Sequence, residues 1–157
     1  LRDCPEVKWI FVGDGSWKQW LDDYIKENNL ENCAYTLGRF PGNAMASFYA
    51  KADAMLITLR SGFIDLEMTV PARMQSYMSA GRPVLGMIGK GAADLIAESD
   101  CGYSVSAGDY KALADVIRNK VLPNRDGFEK KGSNGRRYFE KEFMLDHCID
   151  HIEQIIQ

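Results

Sequence analysis

Arg73 and Ser76 lie in a short stretch whose composition is typical of a helix with an anion-binding start. Pro71 suits the first turn of a helix, and Gly81 suits its end. Residues three positions apart share one helix face, so Arg73 and Ser76 are expected side by side near the start. That end of a helix carries unpaired N–H groups and a partial positive charge. The pattern predicts an anion site there, with Arg82 at the far end pointing to solvent.

Two glycine-containing turns follow apolar runs and are further candidates for phosphate contacts. In the first, 13–15 (Gly-Asp-Gly), the backbone N–H groups around Gly13 could approach a phosphate. In the second, 59–63, Arg60 offers a fork of donors, and the small pair Ser61 and Gly62 permits close backbone approach. The alternatives are an ordinary tight turn and an ordinary surface loop, and both stay open.

Alternating apolar runs and amphipathic stretches predict the elements that position these residues. Strands are expected at 7–12, 33–37, 54–59, 83–88 and 102–105. Helices are expected at 17–28, 43–52, 72–80 and 92–99, from an N-cap at Asp109 to 121, and over most of 126–157 with a break near 132–135. This order predicts an α/β fold, a parallel sheet with helices on both faces. Ligands bind such sheets at the carboxyl ends of the strands, here the loops 13–16, 38–43, 60–71 and 89–91.

Composition limits the classes of function. The 157 residues suit a single domain, 1–157, and the net charge of −3 argues against nucleic acid as a partner. No apolar run reaches the roughly 18 residues of a membrane span. The four cysteines are scattered, as expected for free thiols in the cytoplasm, and the two histidines lack the glutamate that follows the first histidine in a zinc-protease helix. We therefore expect a cytoplasmic protein without a bound metal.

Several short motifs, taken in their order along the chain, resemble those of one family of enzymes. The run TVPARMQSYMSAGRPVL (69–85) is similar to the donor-site helix of family-4-type (group 1) glycosyltransferases, which have the GT-B architecture. The segments FVGDG (11–15), LGRF (37–40), FYAKAD (48–53), GKG (89–91) and CG (101–102) resemble the other blocks of that family in the same order. The resemblance implies a Rossmann-like three-layer domain that binds the sugar donor, the C-terminal half of a GT-B enzyme. It also implies that the first strand and helix of that domain are lacking.

The resemblance also implies roles for individual residues. The turn Gly38, Arg39 and Phe40 would lie beside the nucleotide base. The 60–63 loop, the start of the Pro71 helix, and Lys90 and Gly91 would contact the rest of the donor. Two glutamates of the family fall here on Ser76 and Met68, with Glu67 beside the latter.

This departure from the family pattern shifts the expectation to other residues. A branch of the family has Lys or Arg two positions after the proline and Gln-Ser in place of the glutamate, as here. Arg73 then becomes the expected charged contact, and Arg73 and Glu67 are the catalytic candidates.

The activity implied is transfer of a hexose, with retention, from a nucleotide-diphosphate sugar to a glycan or lipid-linked acceptor in surface polysaccharide biosynthesis. Neither a metal nor another cofactor is implied. The acceptor would bind an N-terminal domain that this chain lacks, so we expect no transfer by the chain alone. We expect self-association through an exposed sheet edge, and a peripheral position at the inner membrane face is open for the whole enzyme.

Two other classes of function stay open on the sequence. A non-catalytic, flavodoxin-like nucleotide-binding or regulatory domain would have the same sheet pattern but would not need the ordered blocks between Gly38 and Gly102. A sugar epimerase of the GT-B fold would need histidines in the site, and no histidine precedes His147.

Overall fold

The computed structural model describes residues 1–60, 62 and 68–156. The chain separates into two compact units, 1–45 and 46–157. Each has its own parallel sheet with flanking helices, which confirms the predicted α/β fold. The expected strands and helices are present, with most ends within two residues of the predicted bounds.

The first unit is a β-α-β arrangement. Strand β1 (Trp9–Val12) pairs in parallel with β2 (Ala34–Gly38), and helix α1 (Lys18–Glu27) connects them. Asp22 of α1 accepts hydrogen bonds from Lys18 at 2.5 Å and from the hydroxyl of Thr36 on β2. These bonds lower the pKa of Asp22, with Lys18 the larger cause and Thr36 the second. A charged hydrogen bond network thus joins the helix to the sheet.

The second unit is built on three parallel strands. They are β3 (Met55–Thr58), β4 (Val84–Ile88) and β5 (Gly102–Ser106), in the order β3-β4-β5. Strand β4 is central, and four of its five residues are buried, as expected for a strand with neighbours on both sides and helices against it. The helices of this unit are α2 (Met45–Lys51, which begins at the boundary), α3 (Ala72–Ser79), α4 (Lys90–Ser99), α5 (Tyr110–Val116), α6 (Arg125–Glu142) and α7 (Leu145–Ile156).

One core fixes the helix that carries the predicted anion site. Met74 and Met78 of α3 are fully buried against Val84 of β4 and Ile96 of α4. The spacing of the two methionines puts them on one side of α3, so the opposite side faces outward. Further along the chain, Asp109 accepts a hydrogen bond from the N–H of Ala112 at 2.9 Å, which confirms its predicted role as the N-cap of α5.

The break predicted near 132–135 is wrong, because α6 runs without interruption from Arg125 to Glu142. The glycines that suggested the break are buried where the helix crosses other elements. A Cβ on Gly132 would lie 2.2 Å from the carbonyl oxygen of Gly81, and one on Gly135 would lie 2.8 Å from Cβ of Cys101. Glycine here permits close packing of α6 on the end of α3 and the start of β5.

This contact gives a testable expectation for Gly132→Ala. The added methyl group gains about 1 kcal/mol of helix propensity but must displace main-chain atoms, and such overpacking costs about 1–3 kcal/mol. We expect a net loss of unfolding free energy in urea titration. Ser133→Ala, at the exposed neighbouring position, is the control and should leave stability unchanged or slightly raised. A Gly132→Ala protein at least as stable as Ser133→Ala would contradict this packing.

No helix within residues 1–60, 62 and 68–156 is both long enough and apolar enough to cross a membrane.

Candidate functional site

The candidate residues of the second unit follow the carboxyl ends of two adjacent parallel strands. The N–H of Leu59 donates to the carbonyl of Met87 at 3.0 Å, so the pairing of β3 and β4 continues to the ends of both strands. Arg60 and Gly62 come after β3, while Lys90 and Gly91 come after β4. Because parallel strands end at the same edge of a sheet, Arg60 and Lys90 both follow this edge.

Gly91 permits the close approach of a third segment. A Cβ at this position would lie 2.5 Å from the carbonyl oxygen of Met68, so the main chain just before α3 lies directly on the first turn of α4. The sequence predicted Gly91 as a donor-binding residue, and that role stays a prediction. The structure adds a packing role, which holds the segment leading to α3 beside the start of α4.

Helix α3 presents the two predicted anion-binding side chains to solvent. Pro71 precedes the helix in an extended conformation, and Arg73 and Ser76 are exposed while Met74 and Tyr77 are buried. The described part of α3 has no side-chain N-cap. Helix α4 likewise begins after Gly89 without a side-chain cap. Both helices therefore offer main-chain N–H groups and the positive end of their dipoles to an anion.

The two cations at these helix starts, Arg73 of α3 and Lys90 of α4, have different surroundings. The ammonium of Lys90 forms an ion pair with Asp94 at 2.7 Å, and this hydrogen bond raises the pKa of Lys90. Arg73 is an exposed side chain one turn before Tyr77 on α3. Burial raises the pKa of Tyr77, and Arg73 only partly opposes this effect. Lys90 thus has a carboxylate partner within its own helix.

The candidate residues of the first unit also lie at the ends of parallel strands. The N–H of Gly13 donates to the carbonyl of Gly38 at 2.8 Å and joins the two turns. The φ of Gly38 is 74°, a left-handed conformation that favours glycine. Arg39 and Phe40 follow and are exposed, and a hollow of about 340 Å³ borders the Gly13 turn. The N–H of Gly13 is thus already used within the protein, and its predicted phosphate contact would depend on other groups of this turn.

Two predicted site residues, Ser61 and Glu67, lie outside the described residues. Their roles, including the catalytic role of Glu67, stay predictions from the resemblance. Met68, on which a glutamate of the family falls, is 68% exposed. It contributes its main chain to the contact with Gly91.

The prediction that Arg82 points to solvent is wrong. Its guanidinium donates to the carbonyl of Ala50 at the end of α2, and its Nε is buried. The carbonyl groups at the end of a helix lack intrahelical partners, and Arg82 satisfies one of them. It is a structural link between α2 and the turn after α3.

Sequence reasoning missed one partner of the site, Asp94, which pairs with Lys90. Asp94 lies four residues after that cation, the spacing at which helical side chains meet. That spacing was available as a signal, but it identifies a pair only once the helices and their exposed faces are known.

Comparison with known proteins agrees with this arrangement. The sequence profile of the family "Glycosyl transferases group 1" matches residues 1–121. The chain is 34% identical over 117 residues to the probable glycosyltransferase WbjE of Pseudomonas aeruginosa, covering 71% of this chain and 28% of that protein. It is 26% identical over 111 residues to the amylovoran biosynthesis glycosyltransferase AmsK of Erwinia amylovora, covering 70% of this chain and 27% of that protein.

Solved structures share the fold at lower sequence identity. HepE of Anabaena, in a complex with UDP, superposes with a TM-score of 0.78 at 22% identity and covers 99% of this chain and 42% of that one. Sucrose-phosphate synthase from Thermosynechococcus elongatus gives a TM-score of 0.78 at 18% identity, covering 99% of this chain and 39% of that one. The chain spans less than half the length of these relatives.

These parallel sheets and strand-end loops define a domain of the GT-B glycosyltransferase type. The chain belongs to the glycosyl transferases group 1 family.

Proposed function

We propose that this chain binds a nucleotide-diphosphate sugar and that the whole protein transfers the sugar to a glycan or lipid-linked acceptor. One observation carries the proposal: the main chain at Met68, in the segment that leads to α3 and Arg73, packs on Gly91 in the first turn of α4, next to Lys90. Two uncapped helix starts and two cations suit a diphosphate. The biosynthetic names of the relatives support surface polysaccharide as the product class.

In the proposed reaction, these groups stabilise the leaving nucleoside diphosphate. The bond from the sugar to the diphosphate breaks, and negative charge accumulates on the diphosphate oxygens. The helix N–H groups are fixed by the fold before this charge develops, and Arg73 and Lys90 add positive charge at the first turns of these helices, which suits electrostatic stabilisation. Because the positive charge comes from the protein, the proposal includes no metal ion or organic cofactor.

The remaining parts of the proposal rest on the family resemblance. Gly38, Arg39 and Phe40 would contact the base, Arg60 and Gly62 the diphosphate, and Ser76 the position that the ribose hydroxyls take in the family. Retention of configuration and hexose transfer belong to the proposal in the same way. Acceptor binding is assigned to a part of the protein outside this chain.

Binding of nucleoside diphosphates tests the proposal directly. We expect UDP or GDP to bind the chain with a dissociation constant up to the millimolar range. A single domain leaves one side of the ligand open to water, which weakens its polar contacts. Titration followed by NMR chemical shifts measures such constants and identifies the residues that respond.

One further titration and the location of the resonance shifts make the test more specific. Flavin mononucleotide should not bind, whereas preferential binding of the flavin would favour the flavodoxin-like alternative. Resonance shifts caused by UDP or GDP should cluster in the loops that precede α3 and α4. The proposed function would be contradicted by a chain that binds neither diphosphate at millimolar concentration.

A further inference from the structure

We propose that Asp94 competes with the donor diphosphate for the ammonium of Lys90 and thereby limits how tightly the nucleoside diphosphate is held. The inference rests on the proposed function and deepens it, because it assigns a task to a carboxylate that lies beside the candidate site. Asp94 is a positioning residue in this sense: it acts on the ligand through Lys90.

The ion pair of Lys90 with Asp94 lies at the start of α4. Lys90 is the first residue of this helix, and Asp94 follows one turn later. Residues at this spacing share a helix face, and the ammonium of Lys90 donates a hydrogen bond to a carboxylate oxygen of Asp94 at 2.7 Å. The helix packs inward through Ala92, Leu95 and Ile96. The core therefore holds α4 in place while the ion pair stays on its outer face.

Both side chains of the pair are accessible to a ligand. The side chain of Lys90 is 73% exposed and that of Asp94 is 62% exposed. An exposed ion pair contributes little to stability, because water solvates both charges and two flexible side chains must be ordered to form it. A diphosphate can therefore take over the ammonium of Lys90 without disturbing the fold.

The carboxylate of Asp94 opposes an anionic ligand at this position. A phosphate oxygen that accepts a hydrogen bond from Lys90 lies about 2.8 Å from its ammonium. If Asp94 stays on the same ammonium, the two anions are within about 6 Å of each other and repel. Asp94 must either leave the ammonium or remain beside the ligand as a like charge, and both responses weaken binding. Weaker binding suits a transferase, because the nucleoside diphosphate product must leave before the next donor binds.

Asp94→Asn removes the charge and keeps the size of the side chain. We expect it to tighten the binding of UDP about two- to fivefold in an NMR titration, the range measured for exposed ion pairs. The hydrogen bond to Asp94 raises the pKa of Lys90, so this pKa should fall in Asp94→Asn, as measured from the pH titration of the Lys90 Cε resonance. Asp94→Glu keeps a carboxylate one turn after Lys90 and should bind UDP nearly as the wild type does.

Glu140→Gln is the matched control, because Glu140 of α6 accepts a hydrogen bond from Arg136 at 2.6 Å in a second exposed i, i+4 ion pair. It removes one negative charge away from the candidate site and should change neither the pKa of Lys90 nor the affinity for UDP. Thermal unfolding should show that all three variants are folded.

The inference is overturned if Asp94→Asn binds UDP as the wild type does or more weakly, or if Glu140→Gln tightens binding by the same factor. It is also overturned if the pKa of Lys90 is the same in the wild type and in Asp94→Asn. If that pKa falls as expected but neither protein binds a nucleoside diphosphate at millimolar concentration, the result would instead contradict the proposed function, and with it the task assigned to Asp94.

Discussion

Replacing Gly102 with alanine is expected to lower the unfolding free energy of the 46–157 unit by about 3 kcal/mol or more. Gly102 is the first residue of β5, is buried and pairs with Val84 of the central strand β4. A Cβ at this position would lie 1.8 Å from the carbonyl oxygen of Val84 and 2.7 Å from its carbonyl carbon. These are main-chain atoms of a strand with neighbours on both sides. The sheet can accept the methyl group only by separating β4 from β5 at that end.

Urea unfolding followed by circular dichroism measures this loss. Gly15→Ala is the control, since it adds the same methyl group where no atom lies within 4 Å, and its effect should stay within about 0.5 kcal/mol. If the loss of unfolding free energy is large enough, Gly102→Ala will not fold at all while Gly15→Ala folds, and this result would also agree with the prediction. Equal stability of the two variants would show that the start of β5 does not pack on β4 as described.

Most of the fold was predictable because its strands are short apolar runs between turn residues. Strand β4, for example, is an uninterrupted apolar run, typical of a strand buried on both faces. The prediction of a helix break near 132–135 failed because it considered only the low helix propensity of glycine and not the tertiary contacts of this segment. Gly132 and Gly135 weaken an isolated helix, but in α6 they lie where another main chain or side chain passes too closely for a Cβ. No local pattern distinguishes a glycine that ends a helix from one that permits packing.

The sequence was enough to predict which residues lie at the candidate site, but not which contacts they make with distant parts of the chain. Pro71 and the spacing of Arg73 and Ser76 were enough to predict an exposed helix start. The approach of Met68 to Gly91 joins segments more than twenty residues apart, and no periodicity contains that information. Arg82 shows the same limit, because its acceptor lies on a different helix. Sequence identifies which side chains could bind an anion, while packing decides which of them are already committed to structural bonds.

Arg73→Ala is expected to weaken UDP binding about 10- to 100-fold, the equivalent of roughly 1.5–3 kcal/mol for a hydrogen bond to a charged group. Arg73 is exposed in the first turn of α3, where its charge adds to that of the helix start. Its exposed guanidinium can present several N–H donors to a ligand, so the variant removes the proposed ligand contacts. In an NMR titration, the shifts that UDP causes in the wild-type chain should be largely lost at the same concentrations.

Arg137→Ala is the matched control for this variant. Arg137 is an exposed arginine of α6 that donates to Asn134 at 2.6 Å, so its loss removes one positive charge away from the candidate site. Arg82 is unsuitable as a control, because its bond to Ala50 makes Arg82→Ala a change of structure as well as of charge. If binding depended only on net charge, Arg73→Ala and Arg137→Ala would weaken it equally, by a small factor that added salt removes. Equal effects would therefore contradict a direct contact of Arg73 with the diphosphate, whereas a selective loss in Arg73→Ala would support the start of α3 as the place where the diphosphate binds.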